Sequence, residues 1–189
     1  YFFAKALAKI HPGGVLAFVT SRYTLDAKDS KVREYLAERA DLLGAIRLPN
    51  NTFKSNAGTE VVSDIIFLQK REKLRDLSED TPSWVNVGEN ADGFKINQYF
   101  LDKPEQVLGE ASSDSTQYGR QDYTVIPIPG ADLAEQLQGA IGNIYGQYMA
   151  APDAVIEPLA EEVIDISGVE IANYSFGVIN GDIYYRIDN

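Results

Sequence analysis

The 189 residues contain no cysteine. Disulfides, thiolate metal sites and cysteine nucleophiles are therefore excluded. Histidine is almost as scarce: the single His11 cannot build a histidine-based zinc site by itself. No apolar run approaches the ~20 residues of a membrane-spanning helix. Tyr1 to Ile10 has neither the basic start nor the small-residue cleavage site of a secretory signal. An initiator methionine is missing as well, and the chain begins inside a helical pattern, which suggests a segment of a longer polypeptide. Cytoplasmic residence is the expectation.

Positive charge is scarce in one half of the chain. The net charge is −11, but residues 1–75 carry +5 and residues 76–189 carry −16. A basic first half can face phosphate even in a chain of low isoelectric point. The acidic second half is expected to be a solvated surface or a partner face. Hydrophobic residues make up 44%, which is enough for a real core at this length.

Helical spacing of Phe2, Phe3, Leu7 and Ile10 predicts a helix that Pro12-Gly13-Gly14 stops. Val15 to Val19 is a continuous apolar run, as expected of a strand buried on both faces of a parallel sheet. Thr20 to Ser30 reads as a loop. A helix from Lys31 to Arg39 follows, with Asp29 or Ser30 as N-cap. Leu42 to Leu48 and the β-branched stretch Val61 to Leu68 read as further strands, separated by a polar loop, Asn50 to Gly58. The last strand can return antiparallel at the sheet edge.

Composition shifts after Arg75. Short helices are expected at Asn97–Phe100 and Pro104–Leu108. Ala111 to Gln121 is a linker candidate, and Tyr123 to Ile128 a short strand. Asp132 caps a helix expected to run from Leu133 to Tyr148. Tyr174–Ile179 and Asp182–Ile187, joined by Asn180-Gly181, read as a β-hairpin with a type I′ turn. The expected organisation is an α/β region at 1–75, an acidic α+β extension at 76–149, and an acidic linker with the hairpin at 150–189.

Several strings together resemble the N6-adenine DNA methylases: Gly13-Gly14-Val15 through Thr20-Ser21, Leu43 through Asn50, Thr52-Phe53-Lys54, Ala57 through Val61, and Asp64 through Lys70. The resemblance is to type I modification subunits, and more closely to the methylase part of mobile-element helicase–methylase proteins. It implies an α/β fold, namely the C-terminal half of a Rossmann-like S-adenosylmethionine-dependent methyltransferase sheet with an acidic extension. It also implies transfer of a methyl group from S-adenosylmethionine to adenine in DNA. The Gly-rich cofactor loop and the Asn-Pro-Pro-aromatic motif of that family are absent here. Inactivity of the chain by itself is therefore expected, with no catalytic residue, cofactor-binding residue or metal ligand assigned within it. An upstream methyltransferase half would complete the enzyme.

Under that resemblance Phe53 is the candidate for stacking on a flipped base; the alternative is an anchor folded under its own loop. Arg22, Arg47 and Lys54 are candidate phosphate contacts on DNA, or ordinary solvated charges. The Lys70–Arg75 cluster reads as strand-end solubility. Asp64, within an apolar strand, is buried and hydrogen-bonded or faces solvent from an edge. His11 sits where a cation complements a helix end, and Glu161, Glu162 and Asp165 read as a solvated acidic face. The competing functional reading is a non-catalytic scaffolding or partner-binding module of a helicase–methylase polypeptide, docking a helicase segment. A third reading is an unrelated α/β domain. An unpaired Val15–Val19 edge would invite self-association.

Overall fold

A computed structural model describes residues 1–113, 122–147, 149, 172–179 and 182–186. Two compact units divide the chain, Tyr1–Pro152 and Asp153–Asn189.

In the first unit, helix α1 (Phe2–Lys9) leads into strand β1 (Val15–Ser21). A one-turn helix, α2 (Tyr23–Asp26), follows at once, where the sequence reads as loop. Helix α3 (Lys31–Arg39) has the expected bounds. Of its two candidate caps, Asp29 accepts from the Lys31 amide at 2.9 Å, while the Ser30 side chain turns to Glu34. Strand β2 (Ala40–Leu48) and strand β3 (Ser63–Lys70) complete the sheet. Between them Phe53 precedes a short helix, α4 (Lys54–Ala57).

The sheet order is β1-β3-β2, and both outer strands run antiparallel to β3. Two expectations are corrected here. The last strand is central rather than at an edge. β1 is itself the edge, with alternately exposed and half-buried residues along its whole length, so it is not buried on both faces. The apolar run misleads because small and β-branched residues suit an open edge as well as a covered one.

Alternation on β3 divides the core between the two faces. Ile66 and Leu68 join Leu36, Ala37, Ala45 and Leu7 on one face, beneath α1 and α3. Ile65 and Phe67 pack with Ile46, Leu48, Leu108 and Ala140 on the other. Helix α6 (Leu133–Gly142) covers that second face over β2. Its cap is as expected: the Asp132 carboxylate accepts from the amides of Ala134 and Glu135. The helix ends at Gly142 instead of Tyr148. Beyond it Ile144 seats on Gly44, which sits at a register shift in β2. A Cβ there would lie 2.7 Å from Ile144 Cγ1.

The expected boundary at residue 75/76 is not a boundary of packing. Trp84, Val85, Ile96, Tyr99 and Phe100 belong to the same core as Leu36 and Ala45. The short strands β4 (Val87–Glu89) and β5 (Lys95–Asn97) pair with each other. Helix α5 (Gln98–Asp102) is capped by Asn97, whose side chain accepts from the Tyr99 amide. A 3-10 turn at Pro104–Gln106 is followed by Leu108, whose amide donates to Arg47 O and ties this segment to the outer side of β2. Strands β6 (Glu110–Ser112) and β7 (Thr124–Ile126) form another small antiparallel pair. Most of the expected 111–121 linker lies outside the described residues.

In the second unit the described residues form the expected hairpin, β8 (Phe176–Ile179) with β9 (Asp182–Tyr185). Its Asn180-Gly181 turn, and Glu161, Glu162 and Asp165, lie outside the described residues. Among the described residues no helix is long and apolar enough to cross a membrane.

Candidate functional site

β1 and β2 run in the same direction and end side by side across the start of β3. Polar groups gather at that end. Arg47, near the end of β2, lies opposite Asp64 on β3. Its Nε donates to Asp64 Oδ1 at 2.8 Å and its Nη2 to Asp64 Oδ2 at 2.9 Å. Nη2 also donates to Asp26 Oδ1 at 2.9 Å. Both Arg47 and Asp64 are completely buried. The guanidinium carbon lies 4.2 Å from the Phe100 ring centroid and 5.5 Å from that of Tyr123.

Asp26 is the hub. It joins Arg47 to the Asn97 amide at 2.9 Å and, through Oδ2, to Arg22 Nη1 at 3.4 Å. Arg22 Nη2 then reaches Asp122 Oδ2 at 2.6 Å, an oxygen that the Tyr23 hydroxyl also approaches at 3.0 Å. The Asn97 side chain donates to the carbonyls of Leu25 and Trp84 at 2.8 Å each. The network thus ties the three-stranded sheet to α2, to β5 and to the segment entering β7.

Titration behaviour follows from this crowding. Burial alone would lower the Arg47 pKa, but Asp64 and then Asp26 raise it well above the ordinary arginine value. Burial pushes the Asp64 carboxyl up, against the pull of Arg47, and the neighbouring Asp26 charge adds to the rise. At the solvent end, Asp122 is shifted the other way. Partial burial opposes its charge, but the Tyr23 hydroxyl and Arg22 outweigh that and hold it below the usual carboxylate range. Tyr123 is raised, chiefly by burial.

This placement corrects two candidate DNA contacts. Arg47 has no exposed surface and is committed to two carboxylates. Arg22 is 7% exposed and held by Asp26 and Asp122. Neither is placed to meet a phosphate. Lys54 is the candidate left in solvent, where it pairs with Glu60. Phe53 packs, half-buried, against the Ile46–Leu48–Leu108 cluster. The Lys70–Arg75 cluster is largely spent on internal contacts: Arg71 and Arg75 each reach Asp41 at 2.6 Å, and Lys70 Nζ donates to Ile10 O at 2.7 Å. His11 Nδ1 lies 2.7 Å from Pro12 O. Among the described residues there is no group of three or more His, Asp or Glu side chains arranged to hold a metal ion.

Sequence reasoning missed Asp26, Asn97 and Asp122. The four-residue spacing of Arg22 and Asp26 is a helical ion-pair signal hidden in a segment that otherwise reads as loop. Asp122 is about a hundred residues from Arg22, and no local pattern links them. Arg33 was missed as well. It is buried on α3, donating to Val85 O and Ala27 O at 2.7 Å each, with its pKa lowered by burial.

Each of the three acids at the strand ends is thus held by an arginine, and a likeness to a known protein accompanies that geometry. Over 93 residues the chain is 34% identical to the Defense against restriction protein B of Escherichia phage P1. The match takes in 46% of this chain, which spans about 4% of the length of that curated relative. No family model matches the chain, and no solved structure does. The adenine-methylase resemblance is corrected by this finding. The similarity the chain carries is to a restriction-defence protein, and no comparison supports a methylase.

Proposed function

We propose that this chain is a non-catalytic scaffolding and partner-binding module that serves restriction defence within a larger assembly. The observation that carries this reading is the charge network at the end of the sheet. There Asp26, Asp64 and Asp122 are each paired with Arg22, Arg47 or both. None is left as a free base or nucleophile. Buried ion pairs of this kind lock neighbouring elements in one arrangement, because separating them leaves a charge without solvent. Partial identity to a restriction-defence protein supplies the context.

The test is genetic and chemical together. Deleting the gene should lower survival of unmodified DNA in a restricting host and leave survival in a non-restricting host unchanged. Asp122→Asn, near the solvent end of the network, should keep both fold and protection. Loss of protection in a folded Asp122→Asn variant would assign chemistry to the network and end the scaffolding reading. Equal survival with and without the gene would end the link to restriction.

A further inference from the structure

We draw no further inference here: the strongest candidate, the exposed apolar face that Phe176, Val178 and Tyr185 form on the β8–β9 hairpin, carries nothing because nothing in the structure shows what covers it.

Discussion

Arg47 decides the residue scale. It is a long cation with no solvent, two carboxylates and an aromatic ring around it. Arg47→Met is expected to leave Asp26 and Asp64 buried with too little positive charge, at a cost of about 3–5 kcal/mol. Pairing Arg47→Met with Asp64→Leu should recover much of that loss, which urea unfolding of the single and double variants would show. A double variant no more stable than the single would mean that the loss does not come from an orphaned Asp64 charge. The carboxylates should also titrate apart, and carbon-detected NMR on the side chains checks this. Asp64, raised by burial, takes up its proton above the ordinary aspartate value. Its charge weakens the fold at neutral pH, and that strain is relieved as pH falls through its raised pKa. Asp122, lowered chiefly by Tyr23 and Arg22, behaves oppositely: its stabilisation is present above the ordinary value and is lost as pH falls through its lowered pKa. Titration of the two in the reverse order would contradict the network described here.

At the scale of elements, close approach between segments sets what the sequence can tolerate. Gly109 lies against β7, where an added Cβ would stand 2.4 Å from Ile126 O. That contact is to backbone and cannot swing away. Gly109→Ala should therefore cost roughly 1–3 kcal/mol, read as a lowered melting temperature, whereas Gly139→Ala, with nothing within 4 Å, should not destabilise. Elements with strong local signals are legible in the sequence. Helix α3 between a polar cap and a terminal arginine, the Asp132 cap of α6 and the alternating hairpin strands all follow from spacing. The order of strands in the sheet is not legible there. Val15–Ser21 and Ser63–Lys70 are both apolar enough for the middle position, and what places β3 there is pairing on both sides over long sequence separation. The charged site is hidden for the same reason. Arg22, Arg47 and Asp64 are plain in the sequence, but their mutual neutralisation depends on Asp26 and Asp122, which only the fold brings near.

At the scale of the whole molecule, composition and structure divide the labour differently. The charge step near residue 75 suggests a domain edge, yet Trp84, Ile96 and Phe100 complete the core beneath α3, and the network crosses the step through Asn97 and Asp122. Acidity after residue 75 thus coats a surface and does not mark a separate body within Tyr1–Pro152. A rigid sheet backed by buried ion pairs suits a module that holds other chains in place. The most direct test of that claim is survival of unmodified DNA in a restricting host that carries the Asp122→Asn variant. Protection at the wild-type level in a folded variant is expected, and loss of protection with the fold intact would contradict the account.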